Sequence, residues 1–359
     1  MKAARLHEVG KPLKIEEIAE PTLRSGSVIV KVLSTHVPPF THKVISGELG
    51  YALPELPFIP GTSAIGMIEA VANDVFDLEI GQKVFCDPYI YSTTIEAKPD
   101  AILLGWTGLA EKSSRIQALW KDGTFAQKVL FPAECLTPLG EAESIPVEKL
   151  ACLSYLNIAA GGLNRAPLHF SQTLVVNGAT GGLGSAAILV GLAMGAAKVI
   201  AVGRNKEQLK TLEQIDKRVI GVATEGDVES DSKAIAHIIN GGADIVIDLL
   251  GGVSKPEPTL TCLNALRRGG TAVFVGGVNA DIPFPYSKIM LEQLTIKGSF
   301  MYSRQIPRKL LKMISAGILN LDAIQVNTFS LDEIETAISK ASSSKGLEYC
   351  VVVPNQSYK

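Results

Sequence analysis

Leu174-Val175-Val176-Asn177-Gly178-Ala179-Thr180-Gly181-Gly182-Leu183-Gly184-Ser185-Ala186-Ala187 decides the reading of this chain. It begins as an apolar strand, breaks into glycines and resumes as a helix of small residues. Glycines allow a tight turn and let backbone N–H groups approach a pyrophosphate, while the following helix N-terminus adds partial positive charge. A second apolar stretch, Lys198-Val199-Ile200-Ala201-Val202-Gly203, completes a strand–helix–strand unit. A glycine cluster alone is a weak signal; one set between a strand and a helix is stronger.

Outward from this unit, the pattern from 151 to 285 alternates. Strands are expected at 173–177, 198–203, 218–222, 244–249 and 271–276, with helical stretches between them. Such alternation predicts a parallel sheet covered on both faces. Residues 1–150 are β-rich instead, with strand patterns at 27–33, 64–71, 82–86 and 123–129. Between Asp87 and Asp122 the pattern is lost, and the stretch carries Tyr89, Tyr91, Trp106 and Trp120. From 286 onward a strand at 294–300, helices at 306–316 and 331–341 and a closing strand at 349–353 are expected.

The bulk properties narrow the classes. The 359 residues suffice for about two domains. A net charge of −2 gives no general pull toward nucleic acid or an anionic membrane. Cys86, Cys135, Cys152, Cys262 and Cys350 are scattered singly, which fits small apolar roles in a reducing compartment. The N-terminal residues lack an apolar signal core. The uncharged run from Ser171 to Ala197 is long enough to span a bilayer, but its glycines divide it into two short elements. A cytoplasmic protein is the expectation.

With these features together the chain resembles the medium-chain dehydrogenase/reductase superfamily, and within it the zinc-free quinone oxidoreductase and enoyl reductase branch. The resemblance covers nearly the whole length. It rests on Val30-Lys31-Val32-Leu33-Ser34-Thr35, Ile59-Pro60-Gly61, Asp77-Leu78-Glu79-Ile80-Gly81-Gln82-Lys83-Val84, the glycine turn and Leu294-Thr295-Ile296-Lys297-Gly298-Ser299. It implies an α/β protein: a GroES-like β-barrel domain from 1–150 and 286–359, with an inserted Rossmann domain, a doubly wound parallel sheet, at 151–285.

Zinc-dependent members place a Cys near position 38 and Gly-His-Glu at Gly61. Here the residues are Pro38-Pro39-Phe40 and Gly61-Thr62-Ser63, and the cysteine-rich structural zinc lobe is missing. No metal site is therefore expected. Twenty residues past Gly184, NAD-binding members carry an acid; this chain has Gly203-Arg204-Asn205-Lys206. Arg204 offers a planar fork for a 2′-phosphate and Lys206 adds charge, so NADPH is the expected cofactor. Thr180, Gly181, Gly182, Leu183 and Gly184 are expected to hold the pyrophosphate. Gly276, Gly277 and Val278 are expected on the nicotinamide carboxamide side.

Without zinc, polarising the substrate falls to hydrogen-bond donors or to its own conjugation. Tyr51 matches a tyrosine near the nicotinamide in quinone oxidoreductases and is the first candidate donor. Lys43 lies where many members have a polar group. Asn157 lies on the segment that passes beneath the nicotinamide, where Asn157 or Tyr155 replaces a hydroxyl that members often carry near Ala159. The expected reaction is hydride transfer to a conjugated enone, enoyl or quinone substrate. The alternatives are ketone or aldehyde reduction, and a catalytically silent nucleotide-binding protein. The aromatics of 87–122 suggest an apolar or aromatic small molecule, and a homodimer is the default assembly.

Overall fold

The computed structural model describes residues 1–92, 100–110, 112–166 and 168–355. The chain divides into two compact units. The first comprises Met1–Ser154, Ile324–Ser344 and Glu348–Lys359; the second comprises Tyr155–Ala323 and Lys345–Leu347. Segments from both ends of the sequence build the first unit.

The first unit is organised on the strand Ser27–Val37. It pairs antiparallel with Ala64–Val71, Lys128–Pro132 and Glu348–Val352. The seven-stranded sheet extends through Lys83–Cys86 to Leu136–Pro138 on one side, and through Glu348–Val352 to Gln325–Phe329 on the other. Val28, Val30 and Val32 alternate toward a core shared with Ile68, Val84, Ile102 and Phe131. This alternation is the period-two pattern visible in the sequence. A second core joins Leu6, Val37, Phe58 and Phe125 to the terminal helix Ile334–Ser343.

The stretch 87–122, where the sequence pattern is lost, contains regular elements. Tyr89–Tyr91, Ala101–Leu103 and Thr107–Gly108 form a three-stranded antiparallel sheet, followed by the helix Ser114–Leu119. Strands of two or three residues are too short for alternation to register. Residues 93–99 and 111 of this stretch lie outside the described residues. Its aromatics are used internally: Trp106 is 2% exposed, Tyr89 and Tyr91 pack against each other, and Arg24 lies 3.9 Å over the Trp120 ring. The aromatic content therefore loses its force as a sign of an aromatic ligand.

The second unit holds a six-stranded parallel sheet. Its order is Val219–Ala223, Lys198–Gly203, Thr173–Asn177, Ala243–Asp248, Leu266–Phe274 and Thr295–Gly298. Helices Gly182–Ala193, Lys206–Glu213, Val228–Ile238 and Glu257–Asn264 connect its strands. The expected boundary at 286 is corrected by the sixth strand. Thr295–Gly298 pairs with Thr271–Phe274, so the second unit continues to Ala323. The strand expected at 271–276 begins earlier, at Leu266, since the preceding helix stops at Asn264.

Candidate functional site

The glycine turn lies at the carboxyl end of a central strand, where open parallel sheets bind ligands. Gly178 has φ +78°, a conformation that L side chains rarely adopt. A Cβ on Gly184 would lie 2.2 Å from the Gly178 carbonyl oxygen, so the helix starts in direct contact with the turn. The Gly181 N–H donates to Gly178 O, and Ser185 Oγ donates to Ala179 O, fixing the loop internally. The helix N-cap is Gly181, and its first bond runs from Ser185 N–H to Gly181 O. The amides of Gly182, Leu183 and Gly184 therefore stand at the first turn, where α-geometry provides no intrahelical acceptor.

The neighbouring elements complete this cradle. The Thr180 carbonyl accepts from Gly346 N–H, and the Thr180 side chain closes on Gly203, where a Cβ would be 2.8 Å from Cγ2. The Tyr155 ring would meet a Cβ on Gly182 at 2.8 Å. Burial raises the Tyr155 phenol well above its ordinary range. At the end of the second strand, Arg204 is exposed and forms no hydrogen bond or ion pair among the described residues. Asn205 has a structural use: its side chain caps the helix Lys206–Glu213 by accepting from Gln208 N–H. Lys206 approaches Glu225 only at 4.0 Å.

Gly276 donates its N–H to Asp248 O, and a Cβ there would be 2.1 Å from Leu250 O. Gly277 and Val278 form a short parallel pair with Gly251–Val253. Sequence reasoning missed Asp248. It ends a buried strand, is 3% exposed, and accepts from Thr259 Oγ1 at 2.6 Å. Burial holds its carboxyl above the usual carboxylate range. An acid closing the apolar run Ile245-Val246-Ile247 was the available signal.

In the first unit, the helix Thr41–Ile45 follows Pro38-Pro39-Phe40. Thr41 Oγ1 donates to Pro38 O, so this hydroxyl serves the turn. Lys43 forms an exposed 2.7 Å ion pair with Glu48. Phe40 packs edge-on to Trp106 at 6.1 Å. Tyr51 follows the helix on a loop pinned where Ala52 bridges Gly108 and Gln117 Nε2 donates to Ala52 O. It is 38% exposed, and partial burial raises its phenol, which keeps the proton at neutral pH. Of the three candidate catalytic residues, Lys43 lies on this helix and Tyr51 follows it, while Asn157 lies in the second unit.

Do these residues fit a zinc ion? Among the described residues there is no group of three or more His, Cys, Asp or Glu able to hold a metal. Pro38 and Thr62 offer no thiolate or imidazole. The five cysteines are free and buried, and burial raises the Cys86, Cys152, Cys262 and Cys350 thiols, disfavouring the thiolate that metals bind. His36 is 2% exposed, with Nδ1 2.8 Å from Ser154 Oγ and its ring 5.0 Å from Tyr349. Burial pulls its pKa down to about 3, so it is a neutral core residue. The set does not fit zinc chemistry.

Comparison with known proteins gives a consistent family likeness. Residues 24–141 match the alcohol dehydrogenase GroES-like domain, and 182–316 match the family described as zinc-binding dehydrogenase. A relative named NAD-dependent alcohol dehydrogenase from Sulfurisphaera tokodaii is 28% identical, covering 99% of this chain and 100% of its own. A protein named probable D-xylulose reductase A from Aspergillus clavatus is 27% identical, covering 96% of this chain and 93% of its own. Among solved structures, alcohol dehydrogenase TADH from Thermus sp. ATN1 is similar with a TM-score of 0.82 and 20% identity, over 99% of this chain and 100% of that one. A structure described as a zinc-binding dehydrogenase from Sinorhizobium meliloti 1021 bound to NADP has a TM-score of 0.79 and 19% identity, over 98% of this chain and 99% of that one. These structures share the GroES-like and Rossmann fold.

Proposed function

Because the chain belongs to the medium-chain dehydrogenase/reductase superfamily, we propose that it interconverts a small alcohol and its carbonyl compound by a metal-independent route. It is an oxidoreductase of that superfamily with a nicotinamide dinucleotide as its cofactor class. The glycine turn at Gly178–Gly184 is the observation that carries the reading. When bound, the cofactor supplies or accepts the hydride. The amides of Gly182, Leu183 and Gly184 hold its pyrophosphate. Arg204, exposed beside Gly203, favours a 2′-phosphate, and we therefore propose NADPH.

Tyr51 is our proposed donor to the substrate oxygen. Its protonated phenol bonds to the carbonyl and stabilises the charge that develops there. Lys43, already paired with Glu48, contributes positive potential rather than a proton. The alcohol and polyol dehydrogenase names of the relatives support carbonyl chemistry over the quinone or enone reduction expected from the sequence. Enone reduction is the second reading, supported by the misfit of the residues to zinc, because a conjugated substrate needs less polarisation.

The test incubates purified protein with NADH or NADPH and a panel of ketones, ketoses and cyclic enones, with products identified by mass and NMR. Alcohol formation with the C=C bond retained is expected. A saturated ketone supports the second reading, and cofactor binding without turnover supports a silent nucleotide-binding protein. One equivalent of tightly bound zinc overturns the metal-independent route. We also propose a homodimer through the exposed edge strand Thr295–Gly298, beside exposed Tyr286, Met290, Leu291 and Phe300. Sedimentation at micromolar concentration tests it.

A further inference from the structure

Asp248 ends its strand between the two glycine segments of the second unit. On one side it is in register with Asn177, which precedes Gly178, and on the other with Phe274, shortly before Gly276. Its carbonyl oxygen accepts from the N–H groups of both Val275 and Gly276, each at 3.0 Å. Its carboxylate takes three donors. Oδ1 accepts from Leu250 N–H at 3.1 Å, Oδ2 accepts from Thr259 Oγ1 at 2.6 Å, and the Asn177 side chain adds the third.

The backbone held in this way is the wall that both glycines meet. A Cβ on Gly178 would be 3.2 Å from Leu249 C and Leu250 N, and a Cβ on Gly276 would be 2.1 Å from Leu250 O. Leu249 N–H donates to Asn177 O, so the end beside Gly178 is fixed by the strand itself. The Leu250 end depends on the Asp248 carboxylate. Without that hold Leu250 can rotate, and its carbonyl oxygen moves against Gly276 while the turn at Gly178 stays in place.

The carboxylate is a poor choice for stability alone. It is 3% exposed, and no cation acts on it among the described residues. Burial and the nearby Asp248 and Asp231 charges raise the Cys262 thiol, which sits on the same helix as Thr259. A buried carboxylate without a cation is expensive, and an apolar side chain of similar volume would be at least as stable. We propose that Asp248 is a positioning residue for the dinucleotide. By holding Leu250 N–H it sets the spacing between the turn at Gly178 and the segment Gly276–Val278, so that one cofactor engages both. This assignment rests on the dinucleotide reading above.

The test is binding with and without the nicotinamide half. Calorimetric titration compares the preferred nicotinamide dinucleotide with the matching ADP-ribose, which lacks the nicotinamide ring. Asp248→Leu is expected to weaken the dinucleotide about tenfold, the worth of one net hydrogen bond, and to leave ADP-ribose unchanged. Asp248→Asn keeps an acceptor for Leu250 N–H, and its amide nitrogen can donate to the Thr259 hydroxyl. It is expected to recover dinucleotide affinity to within about threefold of native. Equal losses for the two probes, no loss in Asp248→Leu, or no recovery in Asp248→Asn overturns the assignment while leaving the dinucleotide reading intact. Should native protein bind neither probe, both fall. Should Asp248→Leu not fold, Thr259→Val decides, since it removes only the hydroxyl that holds Oδ2. It is expected to weaken the dinucleotide about threefold with ADP-ribose unchanged, and native affinity for both probes overturns the assignment.

Discussion

The glycine turn of the second unit and the 38–51 segment of the first build their sites from different materials. At the turn the chemistry belongs to the backbone. Gly178, with φ +78°, and the close contact of Gly184 with Gly178 O set the direction of the first helical amides, whatever side chains surround them. In the 38–51 segment the polar side chains are mostly engaged: Thr41 with Pro38, Lys43 with Glu48. Tyr51 is half-exposed, and partial burial raises its phenol. A backbone site tolerates no extra atoms, whereas a side-chain site depends on one functional group at a time.

This contrast is most directly broken at Gly184. Gly184→Val would put Cβ 2.2 Å from Gly178 O and 2.7 Å from Gly178 C, with no flexible atom to yield. Dinucleotide binding should be lost, with a stability loss of about 1–3 kcal/mol seen in urea unfolding. Wild-type affinity in this variant would show that the turn is not a backbone cradle.

The side-chain half of the comparison predicts a narrower defect. Tyr51→Phe should lower kcat about a hundredfold, as expected for loss of one oxyanion donor, with cofactor affinity retained. Tyr51 is 38% exposed, so stability should change little. Full turnover in this variant would remove Tyr51 from the chemistry.

Arg204 sharpens the contrast inside the second unit, as a side chain added to a backbone site. Arg204→Ala should weaken NADPH by about tenfold to a hundredfold, the worth of a charged hydrogen bond, and leave NADH unchanged. Equal effects on both cofactors would assign Arg204 to the surface.

A separate effect, seen only on acidification, concerns His36, on the strand that leads into the 38–51 segment. Its folded pKa of about 3 lies below the ordinary 6.5. Between those values the unfolded chain binds a proton that the folded chain refuses, so stability falls as pH drops from about 6.5 toward 3. The contribution approaches about 1.4 kcal/mol per pH unit. His36→Phe should remove it from a series of urea midpoints; an unchanged slope would mean the imidazole is not held neutral.

The sequence was most informative where structure is local. The strand–turn–helix of 174–187 and the alternating valines of 27–33 were legible, because their periods reflect backbone geometry. The stretch 87–122 was not, since its short strands exist only through pairing across Ala101–Leu103. The domain boundary was misplaced because Thr295–Gly298 carries no mark of which sheet it joins; its register with Thr271–Phe274 decides that.

For the site, the order of residues determined that a glycine turn joins a strand to a helix and that Cys and His are missing at positions 38 and 62. Tertiary structure alone decided which polar groups remain available. It gave Asn205 to a helix cap, Lys43 to Glu48 and His36 to the core, and left the Asn157 carboxamide buried without a partner among the described residues. The physical reason is that backbone conformation is set by neighbours in sequence, whereas the use of a side chain depends on partners brought from distant parts of the chain.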